Sequence, residues 1–253
     1  WLNDRATNRN RGGVLSIYMF ITFAGLGLGT LLLNFNKPQE FEPFILTSLL
    51  FSIALVPILL TKRAAPKFKK ISFIKIKQLY KISPLGTFSM WCTGLIHSAI
   101  FGYGAVYATS LNFTIFEISL FLFLITMAGA IFQFPIGNFS DKRDRRIVLI
   151  ACTFISAIFC MLAIFSSGTS LENMYLASSV GMDKIMFLIF VTLYAGFALP
   201  MFTLNLAYVN DFIDKEKFVA AGAGMQIIFG IGAMGGPILC SVFMNSYGPN
   251  GFF

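Results

Sequence analysis

The stretch FPIGNFSDKRDRRIVLI, Phe134–Ile150, places six consecutive charged residues, Asp141–Arg146, between two apolar runs. Charged residues make up only 12% of the 253 residues, whereas 57% of the residues are hydrophobic. A typical soluble domain contains about 25% charged residues. The composition therefore indicates a membrane protein, in which this charged run is a short connection outside the bilayer between two spans.

The apolar runs are long enough to cross a bilayer as helices, which takes about 20 residues each. Lipid offers no water to bond the backbone, so each span must be a helix rather than part of an open sheet. The sequence therefore predicts an all-α polytopic membrane protein with about seven spans. They cover approximately residues 14–33, 43–61, 84–109, 115–137, 147–167, 185–208 and 219–246.

Lysine and arginine are concentrated in alternate connections between these spans. Segments 1–13, 62–83, 138–146 and 209–218 hold 17 of the 19 basic residues, and only Lys37 and Lys184 lie on the opposite set. Because basic connections stay in the cytoplasm, we expect these four segments on the cytoplasmic side of the bilayer. The same bias accounts for the net charge of +8, so we expect the lipid bilayer and no nucleic acid as a partner.

The connection at 62–83 is the longest cytoplasmic one and carries eight basic residues. From Ile71 onward, Phe73, Ile76, Leu79 and Tyr80 share one face of a helix, with lysines opposite. That pattern predicts a short helix on an anionic leaflet, and a solvated linker remains the alternative.

The charged run of the opening stretch also contains a glycine and an aspartate that charge sorting does not require. The residues concerned are Gly137, Asp141, Lys142, Arg145 and Arg146. Their spacing resembles the cytoplasmic motif that follows the second helix of each six-helix half in the major facilitator superfamily. The sequence departs from the fuller motif at Asp144, where the family often has glycine.

The chemistry of this motif predicts a gate at the cytoplasmic side. Gly137 permits either a close approach of two helices or an unusual backbone angle. Asp141 is suited to accept hydrogen bonds from a neighbouring helix N-terminus, with Arg145 or Arg146 holding it by a charge-assisted bond. Such a cluster would latch the cytoplasmic side shut and break when that side opens.

The resemblance extends over nearly the whole chain, to WLNDRATNRNRGGVLSIYM at the start and GFALPMFTLNLAYVNDF after residue 195. These stretches are similar to the YcaD-like branch of bacterial facilitator permeases. In the twelve-helix plan of the superfamily, the spans correspond to helices five to eleven. Residues 1–61 then end the N-terminal half, 62–83 is the basic linker, and 84–253 is the C-terminal half with its last helix truncated.

The resemblance implies a secondary active transporter of a small solute, working by alternating access in the bacterial inner membrane. It implies no enzyme, no cofactor and no metal, and it leaves coupling to a proton or another ion open. A seven-span receptor and an intramembrane enzyme are the alternatives. No span contains a lysine for a retinal Schiff base, and no G-x-S-x-G nucleophile motif accompanies the single histidine, His97.

Polar residues inside the spans are the candidates for a solute-binding cavity at the bilayer midplane, because they are costly in lipid. His97 lies midway along its span, and a histidine bonded to a backbone carbonyl is the structural alternative. Gly196 and Pro200 interrupt another span in its middle. The candidate cavity residues are His97, Thr93, Tyr103, Gly196 and Pro200, and the candidate inner-gate residues are Gln133, Asn205 and Gln226. The alternative for these three amides is that they face the lipid headgroups.

Three further patterns predict structure rather than chemistry. Thr114 and Glu117 have the spacing of a helix capping box. Gly232 and Gly236 form a GxxxG contact face ahead of a proline. The four cysteines lie in apolar runs without metal-ligand spacing, which is typical of buried thiols.

Overall fold

The computed structural model describes residues 11–35, 40–60, 74–174, 182–214 and 217–253. Parts of several predicted connections therefore lie outside the described residues, including most of segment 1–13 and residues 62–73 of the linker. The same holds for residues 36–39, 175–181 and 215–216.

Every regular element in the described residues is helical, which confirms the all-α prediction. The helices are α1 Arg11–Leu31, α2 Glu42–Leu59, α3 Ile76–Ile82, α4 Pro84–Ser110, α5 Ile115–Lys142, α6 Arg145–Met174, α7 Met182–Ala198, α8 Met201–Asn210 and α9 Phe218–Tyr247, with short 3-10 turns at Leu32–Asn34 and Pro249–Phe252. Six segments of the described part are long and apolar enough to span a membrane. The predicted span at 185–208 is covered by two helices, α7 and α8.

Helix α4 has 27 residues and is long enough to span, yet it is not among these six segments. Glycine, serine, threonine and His97 interrupt its apolar sequence and lower its hydropathy. The structure explains this composition, because α4 packs along α9 and also contacts α8, α5 and α3. A helix with that many protein neighbours needs less lipid-compatible surface than a peripheral one.

Side chains at the helix starts satisfy the unpaired backbone donors of the first turn. The Ser83 hydroxyl accepts the Gly86 N–H at 3.3 Å, and Pro84 occupies the first helical position of α4. At the start of α5, the Thr114 N–H donates to Glu117 Oε2 at 2.8 Å and the Glu117 N–H donates to Thr114 Oγ1 at 3.4 Å. The capping box predicted from the Thr114–Glu117 spacing is therefore confirmed.

Helices α4 and α9 touch backbone to backbone. A Cβ atom added at Gly232 would lie 2.1 Å from the carbonyl oxygen of Trp91, and one added at Gly94 would lie 2.1 Å from that of Phe229. A Cβ at Gly236 would lie 2.4 Å from the carbonyl oxygen of Leu95. The contact face predicted from Gly232 and Gly236 is therefore confirmed, and α4 supplies a glycine of its own to it.

The short helix α3 docks on the protein through one residue. Leu79 is fully buried among side chains of α4, α9 and the end of α8, whereas Ile76 and Tyr80 are exposed. Residues 76–82 therefore form the short helix predicted from the sequence, and Leu79 of its apolar face packs against protein. Contact of Ile76 and Tyr80 with the leaflet stays a prediction. Phe73 lies outside the described residues.

Aromatic side chains fill the end of the bundle remote from the charged run. Tyr107 stacks on Phe252 with ring centroids 4.5 Å apart, and Phe121 and Phe187 complete the buried cluster. Gly248 adopts a φ of 72°, which reverses the chain after α9 and returns Phe252 and Phe253 to this cluster. The two phenylalanines pack against Tyr107 of α4, and Phe253 also contacts Phe187 and Tyr194 of α7.

The glycine contact between α4 and α9 predicts a sharp difference between two substitutions in the same helix. Gly232→Ala places a methyl group 2.1 Å from a backbone oxygen, so the two helices must separate. We expect a loss of about 1–3 kcal/mol, typical of overpacking, measured by thermal unfolding of the purified protein in detergent.

Gly230→Ala is the matched control, because nothing lies within 4 Å of a Cβ atom at that position. Its stability should equal or slightly exceed that of the wild type, since alanine favours a helix over glycine. Equal stability of the two variants would show that the close approach of α4 and α9 is wrong.

Candidate functional site

A cavity of about 190 Å³ lies between α1 and the helices that follow the basic linker. Its apolar wall consists of Met19, Phe23, Leu199, Phe202 and Phe229, and its polar wall consists of His97, Gln133, Thr203 and Gln226. The structure thus brings together three of the polar residues selected from the sequence, which come from α4, α5 and α9. Thr203 was not expected there.

The chain is interrupted at the cavity wall, where α7 ends at Ala198 and α8 begins at Met201. Pro200 has no N–H, so the helix loses one backbone hydrogen bond at this point. His97 Nε2 lies 3.5 Å from the carbonyl oxygen of Ala198, and the ring is 6% exposed. His97 therefore both lines the cavity and faces a backbone carbonyl in the helix break, so the two sequence interpretations are not exclusive.

Thr93 and Asn205 form a buried polar pair between α4 and α8. Asn205 Nδ2 donates to Thr93 Oγ1 at 2.9 Å, while the Thr93 hydroxyl donates to the Ser89 carbonyl at 2.7 Å. The side chain of Asn205 is fully buried, and its Oδ1 has no hydrogen-bond partner among the described residues. This pair joins two helices and does not line the cavity.

A second buried pair, Gln133 and Thr203, joins α5 to α8 and does line the cavity. Gln133 Nε2 donates to Thr203 Oγ1, and the Thr203 hydroxyl donates to the carbonyl of Pro200 at 2.8 Å. Gln133 is 3% exposed. The headgroup alternative is therefore wrong for Gln133 and Asn205, whereas Gln226 is exposed and borders the cavity.

Two other candidates lie beside the cavity rather than in its wall. Tyr103 is half-buried and packs against the aromatic cluster. A Cβ atom at Gly196 would lie 3.1 Å from the ring of Phe132, so this glycine serves the contact between α7 and α5. Their helical positions are compatible with a cavity, but neighbouring side chains occupy the space that they face.

At the far ends of α5 and α8, Arg145 joins two carboxylates. Its Nη2 lies 2.9 Å from Asp141 Oδ1, and its Nε lies 3.3 Å from Asp211 Oδ2. Burial raises the pKa of the Asp211 carboxyl, Arg145 lowers it, and the nearby Asp141 carboxylate raises it again. Asp211 was not predicted from the motif, because it lies 66 residues further along the chain.

Asp144 and Arg146 complete this charged cluster. The Arg146 N–H donates to Asp144 Oδ1 at 2.9 Å, so Asp144 caps the N-terminus of α6. We expected Asp141 to accept from a helix N-terminus, whereas in the structure Asp144 does so and Asp141 binds the Arg145 side chain. Arg146 Nε donates to the Tyr208 hydroxyl at 2.9 Å, which ties α6 to α8.

Gly137 and Lys142 belong to the last turns of α5. Gly137 is half-buried and helical, since Gly248 is the only glycine with a positive φ in the described part of the chain. The unusual backbone angle considered for Gly137 is therefore not adopted. Lys142 is the last residue of α5, where its positive charge interacts favourably with the negative end of the helix dipole.

The N-terminal end of α5, remote from the charged run, carries a second ion pair, between Glu117 of α5 and Lys184 of α7. The Lys184 ammonium also lies 4.5 Å from the ring centre of Phe113. The Glu117 carboxylate thus accepts the Thr114 N–H in the capping box and also binds Lys184.

Comparison with known proteins gives the same assignment as the motif. The family model described as Major Facilitator Superfamily matches residues 1–182 and again residues 86–253. No solved structure matches the chain.

The chain is similar to curated relatives over 98% of its length. It is 23% identical to the uncharacterized MFS-type transporter YcaD of Escherichia fergusonii over 249 residues, and 23% identical to the uncharacterized MFS-type transporter YfkF of Bacillus subtilis over 254 residues. The chain spans 60% and 61% of the length of these two relatives. Because the family model matches the chain from end to end, the chain belongs to the major facilitator superfamily.

Proposed function

We propose that the protein is a secondary active transporter that moves a small solute by alternating access. The observation that carries this proposal is the cavity, because its wall combines Met19 and Phe23 of α1 with residues of α4, α5, α8 and α9. Helix α1 precedes the basic linker and the other helices follow it. A cavity between two such units opens to either side if the units rock against each other.

The contact between α1 and α5 supports closure at the end remote from the charged cluster. In the turn that follows α1, Asn34 Nδ2 donates to Ser119 Oγ at 2.7 Å. Thr30 Oγ1 lies 3.2 Å from the Ser119 carbonyl oxygen, although its proton has a nearer acceptor in the Gly27 carbonyl at 2.7 Å. Nearby, a Cβ atom at Gly27 would lie 2.5 Å from Thr126 Oγ1, so the two helices are close. In an alternating-access cycle these contacts would break when that side opens.

A transport function fits the chain better than the function of a seven-span receptor or of an intramembrane enzyme. Family membership favours a transporter, and the relatives named above are described as transporters. The polar groups of the described cavity wall are a histidine, two amides and a hydroxyl, which suit solute binding more directly than nucleophilic chemistry.

The proposal predicts that cells overproducing the complete gene product change the distribution of at least one small solute across the membrane. Mass spectrometry of cell extracts and medium would identify it, and uptake by proteoliposomes would confirm it. His97→Ala should then change the affinity for that solute, or the pH dependence of its transport, because His97 lines the cavity and is titratable.

The thermal stability of the His97→Ala variant separates a role in transport from a role in packing. A packing role would lower the stability and leave the kinetics of the folded fraction unchanged across pH, which would remove His97 from the site. No change in any solute on overproduction would contradict the transport proposal itself.

We propose that the membrane is the bacterial inner membrane and that segments 1–13, 62–83, 138–146 and 209–218 face the cytoplasm. The support is the distribution of lysine and arginine, because these segments hold 17 basic residues and the other connections hold 2. In a protein without its native cysteines, Asn138→Cys should react with an impermeant thiol reagent only from the inner side. Ser110 is the last residue of α4, whose first residue follows the basic linker, so Ser110→Cys should react only from the outer side. Labelling of both variants from one side would contradict this topology.

We propose further that the cluster around Arg145 controls the cytoplasmic gate. Asp141 and Asp211 each lie eight residues beyond a cavity residue, Gln133 and Thr203 respectively, which is about 12 Å along a helix. By binding both carboxylates, Arg145 connects the end of α5 to the end of α8. The partners observed for Asp141 and Arg145 belong to α5, α6 and α8, so the cluster joins helices on one side of the basic linker.

Asp141→Asn tests the gate while keeping the size of the side chain. The variant loses an exposed ion pair, which costs about 0.2–1 kcal/mol of stability, so folding and insertion should persist while transport falls. Asp214→Asn is the matched control, because Asp214 is also exposed and its ion-pair partner in the described part of the chain is Lys217, three residues away. Equal transport by both variants would show that the charged run is only a topological anchor.

A further inference from the structure

The buried cluster around Leu79 and the cavity share two aromatic rings. Leu79 of α3 is fully buried, and its cluster includes Val209 of α8 and Met225 of α9. Phe202 and Phe229 pack against this cluster, and both also line the cavity. The two rings meet edge to face with their centroids 5.2 Å apart. Leu79 therefore belongs to the packing behind the part of the cavity wall that these rings form.

The ring of Phe229 extends this packing to the polar wall of the cavity. Its centroid lies 5.5 Å from that of the His97 ring, and the two rings are also edge to face. Interdigitated side chains in a close-packed interior transmit a displacement to their neighbours. A change in the packing around Leu79 thus reaches a cavity residue through one intervening ring.

A glycine of α9 provides the space that the Leu79 side chain occupies. A Cβ atom added at Gly224 would lie 2.4 Å from Leu79 Cδ1, so a larger residue there would take the place of the leucine. A void in this position would deprive the neighbouring side chains of contacts on one side. The leucine of α3 therefore fills a space that α9 leaves open.

The junction between α3 and α4 fixes where Leu79 lies. Ser83 alone separates the two helices, and it is 2% exposed. Its N–H donates to the Leu79 carbonyl at 2.9 Å, and its hydroxyl accepts the Gly86 N–H at the start of α4. A residue of the basic linker is thus held in the bundle by the helix that follows it.

We propose that Leu79 is a positioning residue of the cavity, because α3 inserts it behind Phe202 and Phe229 and thereby holds these rings in the cavity wall. Removal of the Leu79 side chain gives the rings room to move toward Gly224, which makes the cavity more accessible. The identity of the cavity as a solute site rests on the proposed transport function. The linker then has a part in shaping the cavity besides connecting the helices on its two sides.

The test measures how fast N-ethylmaleimide reaches the cavity of the complete gene product in detergent. In a parent protein without its native cysteines, Met19→Cys places a half-buried thiol in the part of the cavity wall that α1 contributes. Met19 is not a member of the cluster around Leu79. With Leu79→Ala added, we expect this thiol to react at least about fivefold faster, since a small loss of local stability raises the population of an open wall by such a factor.

Leu149→Ala is the matched control, because it makes the same change in a different buried cluster. Leu149 is 4% exposed, and its cluster joins α6 to α5 and α8 without containing a residue of the described cavity wall. Both variants should lose thermal stability, as expected for a leucine removed from a packed interior. With Leu149→Ala added, however, the thiol at position 19 should react at the rate of the parent.

A second change on α9 should reverse the effect of Leu79→Ala. Gly224→Val returns as many carbon atoms as Leu79→Ala removes, and it places them in the same space. The double variant should react at the parental rate, because the rings again have filled space behind them. Leu79→Val and Leu149→Val remove less of each side chain and repeat the comparison at a smaller cost in stability.

Three results would overturn the proposal for Leu79. They are an unchanged rate in Leu79→Ala, an equal rise in Leu79→Ala and Leu149→Ala, and a double variant that reacts as fast as Leu79→Ala. The alkylation requires no solute and no transport. Its failure is therefore distinct from failure to find a solute whose distribution changes in cells.

Discussion

The backbone of a membrane-spanning chain has no water to bond, and this constraint governs the fold. It makes every described span helical and permits irregular backbone only inside the protein. The interruption between α7 and α8 obeys it, because Leu199 is 1% exposed and Ala198 is 3% exposed. His97 faces the Ala198 carbonyl in this interruption. The position where the helix is least regular is thus enclosed by protein and borders the cavity.

The same constraint explains where the polar side chains lie. Thr93 with Asn205, and Gln133 with Thr203, each form a hydrogen bond between two helices instead of facing lipid. Each pair leaves an amide oxygen unpaired in the described structure, and a buried unpaired acceptor costs about 1–3 kcal/mol. Close packing of α4 and α9 through glycine contributes stability elsewhere in the same bundle.

The run of six charges between α5 and α6 serves several purposes at once. Its basic residues match the bias expected of a cytoplasmic connection. Asp144 caps α6, Arg146 binds Tyr208, and Arg145 binds both Asp141 and Asp211. The departure from the family motif at Asp144 thus has a local reason, since its carboxylate satisfies a backbone donor that glycine would leave open. These contacts connect three helix ends near the proposed cytoplasmic gate.

The sequence by itself determined which segments are helices, the capping box at Thr114 and Glu117, the glycine face at Gly232 and Gly236, and the family. These features depend on residues close together in the chain, or on the length and hydropathy that a bilayer demands. His97, selected as a cavity residue, and Gln133 and Gln226, selected as inner-gate residues, lie together in the cavity wall. They could be selected because polar residues in apolar spans are few.

Only the tertiary structure decided which side chains meet. It added Thr203 and Asp211, and it directed Thr93, Tyr103 and Gly196 toward helix contacts instead of the cavity. Periodicity shows which residues share a face of their own helix, but the partner of that face depends on packing between helices distant in sequence. Leu79 illustrates the difference, since its helical face suits a lipid surface equally well and the groove between α4 and α9 buries it.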